Sequence, residues 1–261
     1  MNKSVQRTVE ILSYIAEQAD QNGIGISQVS STFGIPKSSA SDVLYSLYEL
    51  GYLEYQNETL KTFKLGNRAI RFGVMAVGQF GLSRMARPEL ETLCADLGYT
   101  VMLGVRSDDK MIIVDKIEGR SAVHLTDGIG THKPMHLTSI GKVLLSGYDD
   151  ESILDIVGDF CFESHTKNSL VNPHQLLREM AKIRARGYAI ENFEDNPYVY
   201  SIAAPVYDKS NVVCAGVCVS LFAADITEEQ IPAIIDRVKI ASKRISHVMG
   251  YRGGAYEILM K

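Results

Sequence analysis

Residues 26–65 read ISQVSSTFGIPKSSASDVLYSLYELGYLEYQNETLKTFKL, and their pattern decides the fold. Ser27 is a good helix N-cap, because its hydroxyl can accept from the unpaired amides of a first turn. Val29 and Phe33 fall four apart, on one side of a short helix. Gly34 suits the left-handed residue that ends a helix. Pro36 cannot continue that helix but suits the start of the next. A second helix is expected over about Lys37–Leu50. Its apolar side is Ala40, Val43, Leu44, Leu47 and Leu50, and its other side is Ser38, Ser41, Asp42, Tyr45 and Glu49. Gly51 stops it.

Tyr52, Leu53 and Tyr55, the polar turn Gln56-Asn57-Glu58-Thr59, and then Leu60, Thr62, Phe63 and Leu65 read as a two-stranded hairpin. Two short helices joined by a tight glycine-containing turn, followed by a hairpin, make a winged helix-turn-helix. The second helix would lie in a DNA major groove, with the hairpin as wing. Candidate DNA-binding residues are Gln28, Lys37, Ser38, Ser39, Ser41 and Tyr45, with Lys61 and Lys64 on the wing. The alternative is an ordinary helical hairpin packed in a larger core. Lys37-Ser38-Ser39 weighs against it, because small polar residues suit close approach to a phosphate backbone.

Outward from this stretch, 261 residues suggest two domains. A hydrophobic share of 46% supports a sizeable core and excludes global disorder. No apolar run reaches the roughly 18 residues of a membrane span. MNKSVQRTVE carries no apolar signal core, so a soluble cytoplasmic protein is expected. Cys214 and Cys218 share a predicted strand, where four residues span roughly 13 Å. That separation forbids a disulfide or a shared metal ion, so free thiols are expected, as for Cys94 and Cys161. The net charge is −4. Lys3, Arg7, Lys37, Lys61, Lys64, Arg68 and Arg71 balance Glu10, Glu17, Asp20, Asp42, Glu49, Glu54 and Glu58, so residues 1–80 are neutral. A basic DNA-binding domain would be a stronger signal. What matters here is position, because Lys37, Lys61 and Lys64 stand where phosphates would be met.

Val5, Val9, Leu12, Ile15 and Ala16 predict a first helix over about Ser4–Ala19. A further helix from Gly66 to about Val77, loosened by Gly78 and Gly81, reads as a linker. The second domain opens with an amphipathic helix over about Leu82–Leu97. Strands Tyr99–Arg106 and Met111–Ile117 should pair across the tight Ser107–Lys110 connection, with a third at Ala122–Thr126. Helices follow near Ser139–Gly147, Glu151–Val157 and from Pro173 to Gly187. Strands Tyr188–Asn192, Tyr200–Tyr207 and Val212–Leu221 come next, and a helix over Glu228–Met249 closes the chain. Strands in hairpins with helices grouped between them indicate an α+β domain on a largely antiparallel sheet.

Four stretches make the chain resemble the IclR-type bacterial transcriptional regulators. They are SVQRTVEIL, GIPKSSASDVLYSLYELGYLE, PMHLTSIGKVLLS, and ARGYAIENFED followed by SIAAPVYDKSNVVCAGVCVS. Their order and spacing together are specific, and they span nearly the whole chain. The resemblance implies a winged helix-turn-helix domain over 1–66, a linker helix over 67–81, and a GAF-like effector-binding and oligomerisation domain over 82–261. It implies a DNA-binding regulator of double-stranded operator DNA, most often a repressor, here of a catabolic operon. It also implies a homodimer or homotetramer, with no cofactor and no catalytic residues. One departure concerns DNA reading. The family commonly has an arginine in mid recognition helix where this chain has Asp42, so Asp42 should accept from a cytosine amine or face away.

Proteins similar to this one hold small carboxylates on the amides that start the helix after PMH, which here are Ser139 and Ile140. Free amides and the helix dipole favour an anion there. Strand alternation puts Cys214, Gly216, Cys218 and Ser220 on one face, which suits either a cavity or tight packing under a helix. Ser201 matches a further pocket position of the family, and either Glu194 or Asp195 its acidic one. Met135, Leu137 and Val199 would be apolar lining, completing a candidate set with Ser139, Ile140, Ser201, Cys218 and Ser220. The rival readings are an effector-independent DNA-binding protein, against which a pocket of mixed polarity in the second domain speaks, and an enzyme. Ser139-Ile140-Gly141-Lys142 is similar to the end of a phosphate-binding loop, but His136 stands where that motif needs glycine. No G-x-S-x-G elbow is present. His132 and His136 are four apart, but Pro134 between them disfavours a helix, so no metal site is expected.

Overall fold

Ile11 and Ile15, one helical turn apart and fully buried, anchor helix α1 (Lys3–Gln18) in the first unit. Burying each contributes about 1.5–3 kcal/mol. The computed structural model describes residues 3–18, 22–69, 72, 81–120, 126–157 and 162–253, and it divides into units Met1–Phe80 and Gly81–Lys261. After α1 come strand β1 (Ile24–Gly25), α2 (Ile26–Phe33), α3 (Lys37–Glu49), β2 (Leu53–Asn57) and β3 (Thr62–Leu65). The three strands form an antiparallel sheet in the order β1-β3-β2. Val29, Ala40, Leu44 and Phe63 close the core against Ile11 and Ile15.

Local detail departs from the sequence reading in three places. Gly25, not Ser27, caps α2, because pairing with β3 keeps the chain extended through Gly25. The Gln28 side chain reaches back to accept from the Gly25 amide at 3.4 Å. The wing turn falls later than expected. The Asn57 side chain accepts from the Leu60 amide (2.9 Å), which places Leu60 in the turn, 69% exposed, and Lys61 takes a positive φ of 51°. Leu50 is 53% exposed rather than part of the apolar side. Of the linker helix expected over 67–81, Asn67–Ala69 and Phe72 are helical, and the rest lies outside the described residues.

The second unit opens with α4 (Leu82–Leu97). Strands β4 (Thr100–Ser107), β5 (Lys110–Ile117), β6 (His132–Pro134), β7 (Ala189–Asn192), β8 (Val199–Tyr207) and β9 (Val213–Phe222) form one antiparallel sheet in the order β6-β5-β4-β9-β8-β7. β6, three residues long, shows no alternation in the sequence, and the strand expected at Ala122–Thr126 lies almost wholly outside the described residues. Helix α5 (Ser139–Ser146), α6 (Asp150–Val157) and α7 (Pro173–Arg186) pack on one face of the sheet. On the other face lie α4 and α8 (Ile231–Val248). α8 starts three residues later than expected, with Pro232 in its first turn. Among the described residues, no helix is long and apolar enough to cross a membrane.

The packing of α5 positions the site. Its residues Ser139–Leu145 are all buried. It comes this close to the sheet because Gly104 and Gly216 lie beneath it. A Cβ at Gly216 would stand 2.7 Å from Val143 Cγ2, and one at Gly104 2.9 Å from Ile140 Cγ2. Of the two readings of the Gly216 face, both apply. Gly216 serves tight packing, and Cys218 and Ser220 line a cavity. Cys214 is a correction. The β8–β9 register shifts between Val206 and Tyr207, and Cys214 packs with the cluster on the opposite face.

Candidate functional site

In the first unit, Lys37 and Ser38 are exposed at the start of α3, and Ser39, Ser41 and Tyr45 are half-buried beside them. Asp42 is exposed with them. An aromatic cluster bolts the wing to this helix. Tyr45 meets Phe63 edge-on at 5.8 Å, and Tyr48 meets Tyr55 at 4.6 Å. The two wing lysines differ. Lys61 Nζ lies 6.0 Å from the centre of the Tyr45 ring, so the wing tip carries its charge to α3. Lys64 pairs across the hairpin with Glu54 at 3.2 Å, which partly offsets its charge. Gln28 is engaged in closing its own helix.

In the second unit, the register of the sheet aligns a polar row. Glu191 faces Ser201, Ser201 faces Ser220, and Ser220 faces Thr100, on four adjacent strands. Over this row stands the N-terminus of α5. Thr138 caps it, accepting from the Gly141 amide at 3.2 Å. Among the described residues, no acceptor meets the amides of Ser139 and Ile140. Between helix and sheet lies a cavity of about 30 Å³, room for about two waters. Ser139, Ile140, Val199, Ser201, Cys218 and Ser220 line it, as the sequence reading proposed. Met102, Met111 and Ile113 supply apolar wall from β4 and β5. Thr138, Glu191, Lys133, Asp127 and Asn196 complete it, and none of these was foreseen.

The other candidates stand behind the wall. Met135 and Leu137 are fully buried and outside the cavity lining. Neither Glu194 nor Asp195 lines the cavity. Glu194 accepts from the fully buried Lys142 at 2.6 Å. Asp195 holds Lys133 at 2.8 Å and His165 at 2.9 Å. Of the two acids in the cavity wall, Asp127 is paired with Lys133 at 2.6 Å, and the one near the expected position is Glu191. A parity argument on its strand points to it, because Glu191 shares a face with Ala189, whose side chain is buried under the helices.

Electrostatics follow from burial. Glu191 is 5% exposed and accepts from Ser201 Oγ at 2.8 Å, and Ser201 Oγ lies 2.6 Å from Ser139 Oγ. Burial pushes the Glu191 carboxyl up to about 7, with the Ser201 hydrogen bond opposing. Burial pushes the Cys218 thiol up to about 12, so it is neutral at physiological pH. Burial opposes the charge on Lys133, but Asp195 and Asp127, at 2.8 and 2.6 Å, outweigh it and raise its pKa. The cavity thus offers two backbone donors, several hydroxyls, one fixed cation and one carboxyl that changes charge near neutrality. No nucleophile–base pair of a hydrolase is assembled there. The hydroxyl of Ser139 leads through Ser201 to a buried acid, and that hydrogen-bond path includes no histidine.

The family profile described as the bacterial transcriptional regulator IclR C-terminal domain matches residues 74–247, and that of the IclR helix-turn-helix domain matches residues 4–57. The HTH-type transcriptional regulator KipR of Bacillus subtilis is 28% identical over 250 residues, 96% of this chain and 98% of its own. The transcriptional repressor IclR of Escherichia coli is 24% identical, over 95% of this chain and 90% of its own. A crystal structure of an IclR homologue from Microbacterium hydrocarbonoxydans, complexed with 4-hydroxybenzoate, superimposes with a TM-score of 0.80 at 19% identity, covering 95% of this chain and 99% of its own.

Proposed function

Because the chain belongs to the IclR family, and is a DNA-binding transcriptional regulator and not an enzyme, we propose that it represses a catabolic operon and releases it when a small organic acid enters the cavity beside α5. One observation carries the effector assignment. Two amides at a helix N-terminus, those of Ser139 and Ile140, open on a cavity that also presents Ser201, Ser220 and Lys133. Amides and helix dipole together favour a carboxylate. The size of the cavity favours a small one, and an aromatic acid such as that held by the Microbacterium relative would need the wall to open.

The DNA side of the proposal places α3 in the major groove, with Lys37, Ser38, Ser39, Ser41 and Tyr45 on it and Lys61 and Lys64 on the wing. The domains run 1–66, 67–81 as linker and 82–261. Val5 and Val9 support a dimer, because they lie on α1 and are 60% and 56% exposed with no use in the core of their own unit. A dimer reads a palindromic operator. The effector must prefer one arrangement of that assembly, and a tenfold preference supplies about 1.4 kcal/mol per site.

Calorimetry with a panel of small acids, on wild type and Ser220→Phe, tests the site. The phenyl ring should fill the cavity and abolish acid binding, while operator binding in a gel-shift assay survives. Equal acid binding by the variant places the pocket elsewhere. A monomeric mass by light scattering at micromolar concentration would remove the dimer.

A further inference from the structure

Among the described residues, both lysines near the polar row are already committed. Lys142, from α5, donates to Glu194 (2.6 Å) and to the Ile190 carbonyl (2.5 Å). Lys133, from β6, spans Asp127 (2.6 Å) and Asp195 (2.8 Å). Glu191 is left with one hydrogen bond, from Ser201 on β8, and its Oε1 meets no donor among the described residues. From β9, Cys218 and Ser220 face the same cavity as neutral groups.

An acid received at the amides of Ser139 and Ile140 therefore arrives beside a buried carboxyl that has no cation of its own. Only two hydroxyls separate them, with Ser139 and Ser201 2.6 Å apart and Ser201 2.8 Å from Glu191. Two carboxylates so placed resist joint ionisation. The hydroxyl chain adds a direction. With Glu191 ionised, Ser201 donates to it and Ser139 donates to Ser201, so Ser139 offers the cavity only lone pairs. With Glu191 protonated, the chain can reverse. Glu191 donates to Ser201, Ser201 donates to Ser139, and the Ser139 hydrogen is free for a ligand oxygen.

Resting on the effector reading above, we infer that the cavity takes up a small carboxylate together with one proton, held on Glu191 and presented to the ligand as a hydrogen bond through Ser201 and Ser139. No covalent bond to the ligand forms, and the proton comes from solvent. The other charged neighbours divide. Asp195 favours the protonated form, and Lys142 and Lys133 oppose it. The Glu191 carboxyl changes charge at about 7, so the coupling falls in a range where the protein can be handled.

The test is calorimetry of the full chain with acetate, pyruvate and 4-hydroxybenzoate, at about pH 6 and about pH 8, in buffers of different ionisation enthalpy. An acid that binds should take up close to one proton at about pH 8 and almost none at about pH 6, and bind about tenfold more weakly at the higher pH. Glu191→Gln should bind with no proton uptake and with equal affinity at both pH values. Wild-type binding without proton uptake overturns the inference and leaves the effector site standing. Uptake that persists in Glu191→Gln puts the proton elsewhere and also overturns it. If no acid binds wild type, or if Ser220→Phe binds equally well, the effector reading itself falls and takes this inference with it. Should Glu191→Gln not fold, ¹³C NMR titration of the wild-type Glu191 carboxyl decides, because a bound acid must raise its pKa and an unchanged pKa refutes the coupling.

Discussion

Replacing Lys142 by methionine should cost more stability than any ordinary surface change. The side chain is fully buried, and its Nζ lies 2.6 Å from Glu194 Oε1 and 2.5 Å from the Ile190 carbonyl. Methionine nearly conserves the volume, so the cost is electrostatic. Glu194 is 7% exposed, and its Oε2 already has no hydrogen-bond partner. Burial raises the Glu194 pKa, and Lys142 is the first force opposing that rise. Without the lysine, a buried carboxylate is uncompensated, a loss of about 3–5 kcal/mol. The orphaned Ile190 carbonyl adds about 1 kcal/mol. With an m value of about 2 kcal/mol per molar, the urea midpoint should fall by about 2–3 M. The assay is urea unfolding followed by circular dichroism at one fixed protein concentration, because the proposed dimer would couple concentration to stability. The loss should shrink as pH falls and Glu194 takes up a proton. Lys142→Met with Glu194→Leu should recover most of the stability, because no charge is then left buried. A single-variant cost below about 1 kcal/mol, or a double variant no better than the single, would refute the reasoning.

On DNA, Lys61→Ala should weaken binding to all sequences alike and lower the salt slope by about one unit, and Lys64→Ala should do less because Lys64 already spends its charge on Glu54. Gel shifts over a salt series check the order, and equal slopes for the two variants would contradict it. Stability should also depend on Glu191. Its carboxyl rises from 4.5 in the unfolded chain to about 7, so the folded state binds the extra proton between those values. Stability therefore declines as pH rises through that window, by about 3 kcal/mol in all. Glu191→Gln should flatten that part of the thermal-melting profile, and an unflattened profile would show that Glu191 titrates normally.

Local chemistry made much of the fold legible. Helical spacing found α1, α3 and α4, the Gly34–Pro36 pair marked the turn, and Pro173 with Gly187 bracketed α7. The α5 start was placed near Ser139, and Thr138 rather than Ser139 caps it. β1 and β6 were missed because strands of two and three residues carry almost no periodic signal and exist only through their partners. Parity misassigned Cys214, because a register shift lies outside anything the strand itself encodes.

The cavity divides in the same way. Strand alternation singled out Ser220, and the family resemblance singled out Ser139 and Ser201. Which acidic side chain joins them was not visible there. Three acids stand within five residues, at 191, 194 and 195, and the family resemblance pointed to Glu194 or Asp195. The β7–β8 register instead sets Glu191 opposite Ser201, and it leaves Glu194 to Lys142 and Asp195 to Lys133. By itself the sequence laid out the helix-turn-helix pattern and the alternation that puts Cys218 and Ser220 on one face, because those depend on short-range spacing. The tertiary structure decided which carboxyl is left without a cation. Charge pairing depends on distance through space, and for Lys142 and Glu194 the partners are 52 residues apart in the chain.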